Sequence, residues 1–278
     1  GKLRIKVIVD NIGQPVSGAS VKIRGVDTDI TVSTDSSGNT DTISLPCPDK
    51  DLSLHPQFDD IPYGLYTVHV EKLGFNQRDV KSVQIFDTVT SFQRVVLYTE
   101  DNNSSSTIET DISKHQLWGS FAPKIVVDPF EQMEPQIPGD AFREIFIPEI
   151  LIVHDGIPTN NEAANYNVNF VDYIKNVACS EIYATWPEEC IRANVLAILS
   201  FTLSRVYSEW YLSRGFTFTI TTATQFDQKY IPDQTIAETI SNVVDGIFQN
   251  YIKYADLPQP FFSQYCDGVR VQNPGWLS

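Results

Sequence analysis

Residues 171–193 read VDYIKNVACSEIYATWPEECIRA, and two helices with the break between them are legible there. Val171, Ile174, Val177, Ala178 and Ile182 recur at helical spacing, which predicts a helix closing near Glu181. Thr185-Trp-Pro-Glu188 then has the form of a capping box with proline in the first turn. It predicts a longer helix with Ile191, Val195, Ile198, Leu199, Leu203, Val206 and Trp210 on one face, stopped at Arg214-Gly215. Beyond it, Phe216, Phe218 and Ile220 alternate as a strand. Thr235-Ile-Ala-Glu238 is a second capping box, predicting a helix with Ile236, Ile240, Val243, Ile247 and Tyr251 on one face. Pro258 and Pro260 end that stretch, and Phe261 to Tyr265 reads as a last strand. Upstream, Ile145 to Val153 predicts one or two strands, and Val168 and Phe170 another. Residues 146–278 therefore read as an α+β domain.

The opposite end of the chain has a different period. Leu3, Ile5, Val7 and Val9 alternate with mostly polar neighbours, as do Val21 and Ile23, and Tyr66, Val68 and Val70. Turn chemistry separates these runs at Asn11 to Pro15, Asp35 to Asn39 and Lys72 to Gly74. Several short strands at this spacing predict a small antiparallel β-sandwich over residues 1–99.

Between the two lies residues 100–145, with 3 basic and 9 acidic groups, the run Asp101-Asn-Asn-Ser-Ser-Ser106, and Pro123, Pro129, Pro135 and Pro138. It reads as an acidic linker with short ordered pieces in which Leu117, Trp118 and Phe121 dock, and it is the expected first site of proteolysis. The fold class expected is thus multidomain, an N-terminal all-β sandwich followed by an α+β domain.

Over the whole chain of 278 residues the net charge is −15, which argues against nucleic acid or an anionic membrane as main partner. No purely apolar stretch reaches the length of a membrane span, since Asn194 to Val206 contains Ser200, Thr202, Ser204 and Arg205. The cysteines, at 47, 179, 190 and 266, form no CxxC pair, and His55, His69, His115 and His154 do not cluster with them. Neither a zinc site nor another cofactor is expected. Cys179 and Cys190 lie on successive helices at a separation that permits a disulfide without implying one.

Three ordered segments carry a resemblance. The run Tyr173 to Ala193, with Glu181 ending one helix and Trp186-Pro187 opening the next, resembles the signature of the stage II sporulation protein D family. Thr221 to Tyr230, with Asp227-Gln228-Lys-Tyr230, looks like that family's Asp-Gln-x-Tyr segment, and Pro274 to Ser278 like the start of its Gly-x-Ser-Gln motif. Val7 to Val21, Thr34 to Gly38, Ile61 to Tyr66 and Gly74-Phe75 look like the carboxypeptidase-regulatory-like sandwich. The combination, with Arg205 to Phe216, is similar to the clostridial spore cortex-lytic enzymes.

That resemblance implies a zymogen of the spore cortex or extracytoplasmic wall. A subtilisin-like protease would remove the N-terminal part, and the C-terminal half would cleave peptidoglycan glycan strands as a lytic transglycosylase. Two departures accompany it. Ser263 stands where some members have a zinc-binding His, and the chain closes at Ser278 inside a motif that usually continues.

A lytic transglycosylase can work with one carboxyl group. It protonates the glycosidic oxygen, then withdraws the proton of the muramic C6 hydroxyl as a 1,6-anhydro ring closes; a hydrolase usually needs a pair. The resemblance assigns that role to Glu181, which by position alone would be a surface residue at a helix end. Asp227, Gln228 and Tyr230 read equally as a turn with one packed ring or as a cleft wall holding acetamido and hydroxyl groups. Glu188 and Glu189 are first-turn acids facing the helix dipole. Tyr207, Trp210 and Tyr211 continue the apolar face and read as core, and His154-Asp155-Gly156 reads as a turn. Two other classes compete with the enzyme: a non-enzymatic wall-binding or amidase-modulating protein, and an extracellular structural protein built on the sandwich.

Overall fold

The computed structural model describes residues 1–10, 13–55, 58, 60–100, 106–118, 124, 145–253, 255, 257 and 259–264. The chain forms two compact units, each drawn from three stretches of sequence. Unit 1 comprises Gly1–Lys114, Tyr183–Pro187 and Ile231–Ser241; unit 2 comprises His115–Ile182, Glu188–Tyr230 and Asn242–Ser278. The three-block division expected from composition is therefore not the division the fold makes.

Unit 1 holds β1 (Lys2–Val9), β2 (Ser20–Gly25), β3 (Thr28–Ser33), β4 (Ile43–Ser44), β5 (Gly64–Glu71), β6 (Gln77–Ile85), β7 (Thr90–Leu97) and β8 (Thr107–Asp111). Unit 2 holds β9 (Ile150–His154), β10 (Asn165–Asn169) and β11 (Ile220–Thr221). The last strand, β12 (Ile236–Ala237), belongs again to unit 1.

Two sheets make unit 1, in the orders β12-β7-β1-β4 and β3-β2-β5-β6-β8. Strand β1 alternates exposed and buried positions, and Leu3, Ile5 and Val7 meet Val21, Ile23, Val68, Val70, Val80 and Ile85 in one core. Each such side chain contributes roughly 1.5–3 kcal/mol through burial. The period-two reading thus finds its sandwich, but the sheets are mixed. Strands β1 and β7 run parallel, from Lys2 opposite Thr90 to Val9 opposite Leu97, and β6 runs parallel to β8. The Asp35 to Asn39 turn forms as expected. Asp35 Oδ1 accepts from the Ser37 and Asn39 amides, and Gly38 has φ +74, where a Cβ would lie 2.5 Å from Val7 O.

Two segments depart from expectation. Residues 107–111, placed in the linker, extend the second sheet as β8, held by Lys81–Glu109 and Ser82–Asp111 pairs. Residues 236–237, expected in a helix, pair antiparallel with β7, Ile236 opposite Phe92 and Ala237 opposite Ser91. Thr235 does not act as the expected cap but donates to Gln93 Oε1 at 2.7 Å. The edge of β7 needs a partner, and that requirement outweighs the local helix signal. Asp233 anchors the segment through the Arg78 guanidinium and the Thr110 hydroxyl. Residues 183–187 join the same unit. Trp186 Nε1 donates to Ser53 O at 3.2 Å, Thr185 Oγ1 lies 2.7 Å from Ser53 Oγ, and Tyr183 packs on Phe86.

In unit 2, β9 is central, antiparallel to β10 and parallel to β11. Strand β10 runs straight into α1 (Phe170–Glu181), whose N-cap Asn169 accepts from the Val171 amide. The second helix, α2 (Glu188–Tyr207), ends earlier than Arg214; a turn and a 3-10 segment follow, closed by Gly215 at φ +84. It is not one-sided either: Ala197 to Arg205 are all buried. Ser200 fits there because its hydroxyl donates to Leu196 O, and Thr202 because its single hydroxyl proton is shared between Ile198 O and Gln228 Oε1. The stretch Glu188–Arg214 is long and apolar enough by composition to cross a membrane, yet 61% of its most apolar part is buried within the protein, as in a core helix. The third helix is α3 (Glu238–Ile247). Residues 216–219 and 261–264 are not strand. Cys179 and Cys190 are thiols, not joined in a disulfide. Phe121, Cys266 and the Pro274 to Ser278 motif lie outside the described residues.

Candidate active site

Glu181 is the last residue of α1, and its side chain is buried at 6% exposure. Its Oε1 accepts from the Lys229 amide at 2.7 Å. The Glu181 end of α1 and the 227–230 segment, two of the segments that carry the resemblance, are thus joined directly.

The end of α1 would leave carbonyls without partners, and a segment from the expected linker supplies them. The Gln116 amide donates to Ser180 O at 2.8 Å. His115 is wholly buried, with Nε2 3.2 Å from Ile182 O and Nδ1 accepting from the Leu117 amide at 3.2 Å. These partners require a neutral ring with its proton on Nε2. Burial pushes the imidazole down to about 3, with the Lys229 charge adding to the effect and the Ile182 carbonyl opposing it. Leu117 and Trp118 beside it are half-buried, as docking residues should be. Lys229 is itself buried at 5% exposure, which brings its ammonium down to about 8 against the pull of the Glu181 carboxylate.

Asp227 and Gln228 do not form a surface-facing wall. Both are fully buried. Asp227 Oδ1 pairs with Arg205 Nε at 2.7 Å, while Oδ2 accepts from the Tyr211 hydroxyl at 2.6 Å, the Thr221 amide and the Thr221 hydroxyl. Burial and this carboxylate push the Tyr211 hydroxyl well above its ordinary range. Gln228 bridges the helices: its Oε1 accepts from Thr202 Oγ1 at 2.7 Å and Tyr173 hydroxyl at 3.3 Å, and its Nε2 donates to Ile198 O. Gln228 thereby ties α1 to α2, and Asp227 ties α2 to Tyr211 and Thr221, each with its polar atoms satisfied within the protein. Tyr230 is half-buried, stacked on Tyr173 with ring centroids 5.6 Å apart and planes 4° from parallel. Burial, with Asp227 and Glu181 nearby, pushes the Tyr173 hydroxyl well up.

Sequence reasoning missed Arg205, His115 and Lys229. A charged residue inside an apolar helix was the one visible signal for Arg205. His154 is buried and stacked on Phe218, with ring nitrogens 2.8 Å from Asn165 Oδ1 and 3.2 Å from Ile157 O. Ser263 is buried and donates to Ala197 O at 2.6 Å. Among the described residues, no three of His, Cys, Asp and Glu come together as a metal ion needs. Chemically, the Glu181 site offers one carboxyl group, one fixed amide donor and a desolvated ammonium.

No family model matches the chain, and no curated protein matches it. Among solved structures, the Bacillus anthracis TIE protein is similar over 36% of this chain and 16% of its own, at 13% identity and a TM-score of 0.25. Klebsiella pneumoniae 5-hydroxyisourate hydrolase is similar over 36% of this chain and 100% of its own, at 14% identity and a TM-score of 0.23. Hydroxyquinol 1,2-dioxygenase from Pseudomonas putida DLL-E4 is similar over 36% of this chain and 56% of its own, at 10% identity and a TM-score of 0.25. Likeness this slight carries no argument for activity, which rests on the chain's own residues.

Proposed function

We propose that the chain is the precursor of a lytic transglycosylase of bacterial cell wall, with its C-terminal half related to the stage II sporulation protein D family. Its substrate is the glycan of peptidoglycan, of spore cortex in particular. Glu181 protonates the oxygen between N-acetylmuramic acid and N-acetylglucosamine. The same carboxylate then takes the C6 hydroxyl proton as the 1,6-anhydro ring closes, so no second carboxylate and no water are consumed. The observation that supports this reading is the direct bond between Glu181 Oε1 and the Lys229 amide, which joins two segments marked out by the resemblance. That amide holds the carboxyl in one orientation, as a proton donor needs.

The burial of Glu181 accords with a precursor. The residues that directly follow Glu181-Ile182, and those that follow Tyr230, are built into unit 1. A subtilisin-like protease acting on the N-terminal part would free both. The test is digestion of purified cortex by protein with and without subtilisin pretreatment, read by mass spectrometry. Anhydro-muramyl ends after pretreatment support the reading, whereas reducing ends or no products count against it. The same burial favours a second reading, a wall-binding protein without activity, for which pull-down on cortex without any cleavage is the expected result.

A further inference from the structure

Residues 235–237 are subject to two opposed demands. The local sequence asks for helix. Ile236, Ile240, Val243 and Ile247 recur at helical spacing, and Thr235-Ile-Ala-Glu238 has the form of a capping box. In α3 that face exists, with Ile240, Val243, Val244 and Ile247 all buried. Yet α3 starts only at Glu238, directly after Ala237, whose methyl group offers no acceptor to the first-turn amides. Thr235, which has such an acceptor, spends its hydroxyl on Gln93 Oε1 at 2.7 Å, and Glu238 is exposed.

The surroundings ask for strand, and every contact that does so comes from within unit 1. Ile236 and Ala237 pair with Phe92 and Ser91 of β7. Gln93 Nε2 donates to Asp233 O at 2.9 Å, and the Asp233 carboxylate accepts from Arg78 and Thr110. Asp233 is held at φ +58, in the left-handed region that few residues other than glycine enter. The two-residue strand β12 is therefore kept extended by Gln93 and by the anchoring of Asp233, against its own helical pattern.

We propose that residues 235–237 form a strand-to-helix switch, extended while Gln93 and Asp233 hold them on β7 and converted to the first turn of α3 when those contacts are lost. In the helical state Thr235 is the N-cap: its hydroxyl accepts from the Glu238 amide, and the Glu238 carboxylate accepts from the Thr235 amide. Ile236 and Ala237 then precede Ile240 by four and three residues and continue the apolar face of α3. The states exclude each other, because the backbone of Ile236 and Ala237 cannot pair with β7 and belong to a helix at once. Anything that detaches this segment from β7 therefore lengthens α3 by about one turn and bares the β7 edge. The switch does not involve Glu181 and stands whether or not the chain cleaves glycan.

The test uses the full chain and the backbone carbon chemical shifts of residues 234–238, which distinguish extended from helical backbone residue by residue. In the parent, Ile236 and Ala237 are expected to read as extended. Gln93→Ala removes both the acceptor of Thr235 and the donor to Asp233 O, and is expected to raise the helical fraction at 235–237 at least about tenfold. Adding Thr235→Ala to Gln93→Ala takes away the N-cap and is expected to lower that fraction again by about fivefold. Asp233→Ala, at a half-buried position, replaces Gln93→Ala if that variant does not fold. Residues 235–237 that stay extended in the weakened variant, that lose the strand without gaining helical shifts, or whose helical shifts are indifferent to Thr235→Ala would overturn the proposal.

Discussion

At the scale of single residues, unit 2 is organised by buried charges and their partners. Asp227 receives four donors from Arg205, Tyr211 and Thr221 in a fully buried position. Asp227→Ala leaves the Arg205 charge uncompensated and is expected to cost about 3–5 kcal/mol in urea unfolding. Tyr211→Phe removes one donor and is expected to cost about 1–3 kcal/mol. His115 sets a pH dependence whose sign follows from its lowered titration, about 3 in the fold against about 6.5 unfolded. The unfolded chain takes up the proton first. Stability is therefore full above about 6.5 and is lost as pH falls toward 3, by up to about 1.4 kcal/mol per pH unit. Equilibrium unfolding of His115→Gln between pH 7 and 4 should show a shallower loss than the parent. Lys229 acts at the other end of the scale, about 8 folded against about 10.4 unfolded. Its buried ammonium weakens the fold below pH 8, and stability recovers as pH rises toward 10, a recovery that Lys229→Met should abolish. None of these partnerships was legible in the sequence: Arg205 and Asp227 lie 22 positions apart, and periodicity carries no information about such pairs.

At the scale of elements, legibility followed the length of the pattern. The alternation of Leu3, Ile5 and Val7 and the helical spacing of Val171 to Ile182 are each long enough to name their element, and both elements formed. Strand β12 is two residues long and has no period to read. It exists because β7 needs a neighbour, and the Thr235 capping signal gives way to a bond with Gln93. The same holds for β8, whose Thr107, Glu109 and Asp111 looked like part of a polar linker. Ile236→Pro removes a backbone donor and clashes with pairing to Phe92. It is expected to cost about 1–3 kcal/mol, with loss of hydrogen-exchange protection in β7 and not in β1. Asp233→Ala, which takes the carboxylate from buried Arg78, should loosen the same strand.

At the scale of the molecule, the chain passes between the two units five times, after residues 114, 182, 187, 230 and 241. Composition alone gave two halves and a linker, an arrangement one cut would separate. The fold predicts otherwise. A protease site placed at residues 129–138 and cut should leave two fragments that co-elute on size exclusion and part only in denaturant. Residues 183–187 and 231–241 of the second fragment remain part of unit 1. Separate elution of the fragments would contradict that division. Under the proposed function, a single cut that leaves the fragments associated is expected to change glycan turnover little. Glu181→Gln keeps size and polarity but removes the transferable proton, and so isolates the acid and base role proposed for Glu181. Parent and variant, both freed of the N-terminal part by protease, are compared for anhydro-muramyl ends released from cortex and for retention on the same cortex. The account predicts that the variant binds like the parent and releases at least about 100-fold fewer anhydro ends; equal release by the two would contradict it.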